Sequence, residues 1–277
     1  MTPKCFRSFL VFIAVLGSQA VAQEVYQLPD GPLPTRPPAE AHQLNDFDKT
    51  MLREMENRGA VGAVIAVTRF GKLVYARGFG YADLEKKEPV QPTSLFRIAS
   101  MSKTITAVAV LQLVQRRKLG LDASVTDVLS LKPVLEAGRE ADPRMRQVTI
   151  RHLLNHCGGW DRDVSFDPMS WETREKAAKS AGVTADEVRP EHIVCYMLGQ
   201  PLDFDPGTKY AYSNFGYCVL GRVIEQVSGE PYEQYVRKHV LAPLGIKVAT
   251  CIRTGTGACG KLGTTWLLKN APEAGAG

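Results

Sequence analysis

The apolar positions of this chain alternate between helical and extended spacing. Residues 44–58 place Leu44, Phe47, Met51, Leu52 and Met55 on one side at helical intervals, which predicts an amphipathic helix. Val61 to Ala82 reads as a hairpin: Val64, Ile65 and Val67 lead into Arg69-Phe70-Gly71-Lys72, and Leu73, Val74 and Tyr75 return. Gly78 and Gly80 then mark an exit or a bulge. Leu95 to Ala99 leads to Ser100, after which Ile105, Val108, Leu111 and Val114 repeat as a helix stripe ended by Gly120.

Residues 121–200 hold several short helical patterns joined by polar connections. Thr184 and Glu187 have capping-box spacing, and Pro190 suits the first turn of a helix that Gly199 ends. Residues 215–228 form a further helix closed by Gly229, with Leu220, Val223, Ile224 and Val227 on its apolar side. Pro231 opens another, to about Val240. From 248 to 277 Gly, Thr and Ala dominate and the periodicity lapses into an irregular tail, with room for a short strand at Thr264 to Leu268. No internal repeat is present.

The two ends add to this pattern. Lys4 and Arg7 precede an apolar run from Phe9 to Leu16, and Ala20-Val21-Ala22 has the small residues of a cleavage site. Residues 1–22 are therefore expected to be a secretory signal, and the mature protein, starting at Gln23, to be periplasmic or secreted. The run is short for a bilayer span, so stable membrane insertion is not expected. Residues 23–43 carry Pro29, Pro32, Pro34, Pro37 and Pro38 and read as an extended linker. The domain proper is expected at 44–247.

Composition narrows the function classes. The 277 residues are 44% hydrophobic and 23% charged, in the range of a soluble globular protein. The net charge is +5, but beyond Lys4 and Arg7 the chain carries 32 basic against 29 acidic residues. That balance does not point to nucleic acid or an anionic membrane as partner. Five cysteines follow the leader at irregular spacings, which does not suggest a disulfide framework. Cys195 and Cys218 fall in apolar helical patterns and are expected to be buried thiols, whereas Cys251 and Cys259 are left open as a pair.

Two short motifs carry candidate chemistry. Ser100-Met101-Ser102-Lys103 is a Ser-x-x-Lys arrangement. At a helix start, residues three apart share a face, about 5–6 Å between Cβ atoms. A serine hydroxyl is a weak nucleophile until a neighbour takes its proton, and a lysine can assist directly or through its charge. By itself the spacing is expected about once by chance in a chain this size, with Ser100 a helix cap and Lys103 a solvated charge. Tyr212-Ser213-Asn214, after Pro206-Gly207, adds a base candidate: a tyrosine near an ammonium has its phenolate favoured. Asn214 offers a donor and an acceptor to hold Lys103 or a substrate amide, though it also suits a plain helix cap.

The pairing of Ser-x-x-Lys with Tyr-x-Asn resembles the class C β-lactamase and penicillin-binding-protein-like serine hydrolases. Supporting stretches are Phe96-Arg97-Ile98-Ala99-Ser100, Ile150 to Gly159 (Ile-Arg-His-Leu-Leu-Asn-His-Cys-Gly-Gly), Pro206-Gly207 and Pro243-Leu244-Gly245. The resemblance runs from about residue 45 to about 247. It implies an α+β fold of the β-lactamase/transpeptidase type: an antiparallel sheet flanked by helices, with a helical region over roughly 120–200.

It further implies Ser100 as nucleophile, Tyr212 coupled to Lys103 as base, Asn214 as a positioning and substrate-binding group, and neither cofactor nor metal. The substrate would be a small molecule or peptide: a β-lactam, a D-amino-acid peptide or a small ester. The oligomeric state stays open. His152 and His156, four apart with Asp161 and Asp163 nearby, have metal-ligand spacing, but similar histidines occur in the family without metal. Trp160 and Trp171 are expected in the core rather than in a substrate cleft.

One departure matters. The family has a third motif, Lys or His followed by a small residue and Gly, on a later strand. Arg253-Thr254-Gly255 and Lys261-Leu262-Gly263 follow Tyr212 too soon to match it. The expectation is a truncated or frame-shifted chain lacking late strands. Its rival function is a catalytically inactive remnant, at most a binder of peptidoglycan-like peptides.

Overall fold

A computed structural model of the protein describes residues 45–70, 72–136, 138–246, 248–253 and 264–269. The expected signal and linker, residues 1–43, lie outside the described residues. The chain divides into two compact units, one holding residues up to Ile98 with 246–249 and 267 onward, the other Ala99–Gly245 with Thr250–Trp266.

In the first unit, helix α1 (Asn45–Arg58) starts with Asp46 and Asp48 and ends with Arg58, matching the helix dipole at both ends. Strands β1 (Gly62–Arg69) and β2 (Lys72–Asp83) form the expected antiparallel hairpin, paired from Gly62↔Gly80 to Arg69↔Lys72. The register shifts between Val67 and Thr68, so the bulge lies there and not at Gly78 or Gly80. Gly78 answers a different need: a Cβ on it would stand 2.2 Å from the Val90 carbonyl oxygen. The close approach follows a short third strand, β3 (Glu88–Pro89), which pairs with the end of β2. Tyr75 and Arg77 of β2 both donate to the Asp48 carboxylate, tying α1 to the hairpin.

Strand β4 (Phe96–Arg97) begins a second three-stranded sheet, in the order β4-β6-β5. Its partners come from the segment expected to be irregular. That segment forms β5 (Val248–Arg253) and β6 (Thr264–Lys269), with Phe96 opposite Leu268 and Arg97 opposite Leu267. Runs such as Val248-Ala249-Thr250-Cys251-Ile252 and Thr264-Thr265-Trp266 are rich in β-branched and aromatic residues, which suit a pleated surface once a partner exists. Strand β6 falls where the sequence left room for a short strand, at Thr264 to Leu268, whereas the glycines that follow β5 hid that one in the periodicity.

The second unit is helical, as expected for 120–200 and beyond. It comprises α2 (Ser102–Gln115), α3 (Val125–Val128), α4 (Ile150–Leu154), α5 (Trp171–Ala181), α6 (Pro190–Leu198), α7 (Asn214–Ser228) and α8 (Tyr232–Val236). Gly199 and Gly229 end α6 and α7 as read from sequence, and α8 runs on into a π-helical turn, Arg237–Leu241. Thr184 and Glu187 do bond to each other, at 2.9 and 2.8 Å, but they close a turn rather than a helix.

Helix α2 turns a different face inward from the one expected. Ser102, Thr106, Ala109, Val110 and Leu113 are buried, while Val108 is 40% and Leu111 48% exposed. The helix is apolar nearly all round, so its hydrophobic stripe carries no direction. Packing decides instead: α2 lies on α7, and the Thr106 hydroxyl bonds the buried Tyr232 hydroxyl at 2.7 Å. Leu113, Ile150, Leu153, Phe215, Leu220 and Ile224 are almost wholly buried in this unit.

Cys157, Cys195 and Cys218 are free and only partly buried. Burial still raises the Cys195 and Cys218 thiols, the latter to about 11.

A polar tie fixes the approach to the Tyr-x-Asn segment. Asp142 accepts from the Arg144 guanidinium at 2.7 Å and from the backbone N–H groups of Arg144 and Leu202, both at 3.0 Å. Arg144 also donates to the Leu202 carbonyl at 2.7 Å and to Asp205 at 2.9 Å. The Arg144 bond outweighs burial and holds the Asp142 carboxyl at about 2. A carboxylate depressed on folding stabilises the native state above its unfolded value near 4 and loses that contribution as pH falls through 2. Asp142→Asn is therefore expected to lower stability at neutral pH by on the order of 2 kcal/mol and to leave it unchanged near pH 1 to 2. Urea unfolding of both proteins across that range measures it.

Candidate active site

The two sequence motifs meet within the second unit. Ala99 has φ +42, in the left-handed region, and begins a tight 3-10 turn, Ala99–Met101, that runs directly into α2. Ser100 thus sits just ahead of the helix rather than opening it. It is solvent-exposed, whereas Lys103, one turn on, is half-buried. The other motif comes off a loop pinned by backbone bonds. Gly207 N–H donates to the Cys157 carbonyl and Ala211 N–H to that of His156, both at 2.8 Å. Ser213 caps α7 by accepting from Gly216 N–H at 3.0 Å, which leaves the Asn214 side chain free of capping.

All four candidate residues come together. The Ser100 Oγ lies 2.8 Å from the Tyr212 phenol oxygen and 3.4 Å from the Lys103 Nζ. Lys103 donates to Asn214 Oδ1 at 2.8 Å and lies over the Tyr212 ring, 4.7 Å from its centroid, and near that of Tyr217, at 5.7 Å. Burial opposes ionisation of Tyr212. Hydrogen bonds from Lys103 and Ser100, with the charges of Lys103 and Arg162, outweigh it and bring the phenol below its ordinary value. A serine hydroxyl bonded to an acidified phenol is equipped for proton transfer from nucleophile to base.

Sequence reading missed three neighbours. Arg162 stands 5.8 Å from the Tyr212 ring centroid, Tyr217 shares Lys103 with Tyr212, and the His156 ring lies 4.7 Å from that of Tyr212. All three are brought in by tertiary folding, and the sole hint was the Ile150 to Gly159 stretch that holds His156. The proposed metal-ligand spacing dissolves into local bonding. His152 Nδ1 accepts from Thr149 N–H, His156 Nδ1 from Ser213 N–H, and Asp161 pairs with Lys209 at 2.6 Å. Among the described residues no group of three or more His, Cys, Asp or Glu side chains is placed to hold a metal.

Trp160 is buried edge-on against Phe215, whereas Trp171 is largely exposed and donates to Glu175 at 2.8 Å. The two rejected third-motif candidates involve residues 254, 255 and 261–263, outside the described residues.

Comparison with known proteins fits this geometry. Esterase EstB of Burkholderia gladioli is 35% identical over 202 residues, covering 73% of this chain and 50% of that protein. The chain therefore spans about half the length of this curated relative. Among solved structures, the octameric penicillin-binding protein homologue from Pyrococcus abyssi superposes with a TM-score of 0.62 at 28% identity, over 76% of this chain and 45% of that one. EstCE1, a hydrolase with promiscuous acyltransferase activity, gives 0.61 at 30%, over 78% and 55%. Residues 47–255 match the Beta-lactamase family. With that match across most of its length, and with Ser-x-x-Lys and Tyr-x-Asn joined at hydrogen-bond distance, the chain belongs to the Beta-lactamase family.

Proposed function

We propose that this protein is an exported serine hydrolase that cleaves a small ester through an acyl-enzyme on Ser100. The observation that carries the reading is the 2.8 Å contact between the Ser100 hydroxyl and a tyrosine oxygen whose ionisation Lys103 favours. Ser100 Oγ bonds to the ester carbonyl carbon while its proton passes to the Tyr212 phenolate, and the carbonyl π electrons move onto oxygen. Collapse of that adduct breaks the bond to the alkoxide, which takes the proton back from Tyr212. Water then repeats the sequence on the acyl group, giving its proton to Tyr212, and Ser100 recovers its hydrogen as the acid leaves. Lys103, held by Asn214, stabilises the phenolate in each step. An ester needs less help at its leaving group than an amide does. The relative from Burkholderia gladioli, an esterase, supports the same preference.

Export is supported by residues 1–22 alone. Among the described residues no helix is long and apolar enough to cross a membrane.

Intact-mass measurement of the protein mixed with a p-nitrophenyl acyl ester tests the reading. The expected result is one added acyl group, mapped by digestion to the peptide bearing Ser100. No adduct, or an adduct on another residue, overturns it and leaves the binding-only remnant.

A further inference from the structure

The second residue after the short α4 segment holds the base from two sides. His156 has φ +57, and its ring packs against three tyrosines: Tyr212 at 4.7 Å, Tyr217 at 5.1 Å and Tyr210 at 5.7 Å between centroids. Its carbonyl oxygen accepts from Ala211 N–H at 2.8 Å, and its Nδ1 accepts from Ser213 N–H at 3.1 Å. Those two donors are the residues on either side of Tyr212. One histidine therefore fixes the backbone before the base, the backbone after it, and the face of the base itself.

The Ser213 contact also sets the protonation state. A ring nitrogen that accepts a backbone N–H carries no proton, so the imidazole is neutral with its hydrogen on Nε2. A second proton would go to Nδ1 and confront the Ser213 N–H with another donor. The ionisable groups against the ring are Lys103 from α2, Tyr217 from α7, and Tyr210 and Tyr212 from the segment it holds, with Arg162 beyond Tyr212. None is a carboxylate. Burial, then the Lys103 charge, keeps the histidine below its ordinary value.

We propose that neutral His156 is a positioning residue for the base: it holds residues 211–213 so that the Tyr212 phenol stays beside Ser100 and Lys103, and it releases that segment when it takes up a proton. The idea rests on the hydrolase reading only for its consequence on rate, not for the geometry.

Two variants separate the acceptor from the ring. In His156→Asn the amide oxygen stands near the place of Nδ1, the left-handed backbone is tolerated, and no proton is taken up. In His156→Phe the ring packing is kept and the acceptor is lost. Two quantities are read in wild type and both variants. One is the Tyr212 ionisation midpoint, from phenolate absorbance after subtraction of the matching Tyr212→Phe background. The other is the rate of Ser100 labelling by a fluorophosphonate from about pH 5 to 8.

His156→Phe is expected to raise the Tyr212 midpoint toward that of an ordinary tyrosine and to slow labelling about 100-fold, the cost of misplacing a reacting group by about 1 Å. His156→Asn should keep both near wild type at neutral pH. It should also lack the loss of labelling that wild type shows as pH falls through the histidine's range below about 6.5. The proposal is overturned if the Phe variant keeps the wild-type midpoint, if the Asn variant is as impaired as Phe, or if the acid step persists in Asn. The absorbance measurement needs no turnover. A chain that never labels, which sinks the hydrolase reading, still shows through the Tyr212 midpoint whether His156 positions the phenol.

Discussion

Ser100→Ala is expected to abolish covalent labelling by a fluorophosphonate, and Tyr212→Phe to slow it by about 10²–10⁴-fold, the usual worth of a positioned general base. The reason is geometric. Ser100 has two polar neighbours at hand, the phenol at 2.8 Å and the Lys103 Nζ at 3.4 Å, and the shorter contact is to the group whose ionisation the site favours. Removing the phenol oxygen leaves Lys103 at the longer distance, still bonded to Asn214.

Residues that act as one unit are not additive, so Tyr212→Phe combined with Lys103→Ala should label little more slowly than either alone. Stopped-flow labelling with circular dichroism as a fold control measures this. If Tyr212→Phe labels at the wild-type rate, Tyr212 is not the base.

Phe215→Ala is expected to cost about 3–5 kcal/mol of stability, the range for deleting a fully buried aromatic ring. Phe215 is 0% exposed and lies edge-to-face with Trp160, ring centroids 4.7 Å apart at 83°. Truncation removes that contact and leaves a cavity that Trp160, itself buried, is too constrained to fill. Whole domains are stable by only about 5–15 kcal/mol, so a large part of the margin goes. The site should suffer as well, because Phe215 follows Asn214 on the first turn of α7. Equilibrium urea unfolding gives the first quantity and the labelling rate the second. A loss below about 1 kcal/mol would mean the site collapses around the gap.

How legible these features were follows from the range of the interactions that make them. Helix α7 was readable because its buried face and its terminal Gly229 lie within the helix or beside it, although the cap is Ser213 and not Asn214. The β1-β2 hairpin was readable from alternation, but not its bulge, which answers to register across the pair. Helix α2 misled because apolar residues surround it, and only its neighbours decide which of them are covered. In the tail, β6 was legible as the short strand at Thr264 to Leu268, but its pairing with Phe96–Arg97, far upstream, was not, nor was β5.

At the site, Ser100, Lys103, Tyr212 and Asn214 were legible because the two spacings are local and their chemistry is restrictive. His156 was not. Its meaning depends on a turn with positive φ and on a segment more than fifty residues away, and neither leaves a periodicity.

The depth of α7 has a consequence for how the molecule fluctuates. Phe215, Val219, Leu220, Val223 and Ile224 are sealed from solvent, so the amides of this helix exchange with water only in the largest openings of the unit. Asn214 begins that helix, and through it Lys103 is anchored to the part of the unit that opens last. Ser100 sits instead on an exposed 3-10 turn after a left-handed alanine, where small openings cost least. A bound substrate would meet a stiffly held lysine and a compliant nucleophile, and the adjustment between them would fall on the serine.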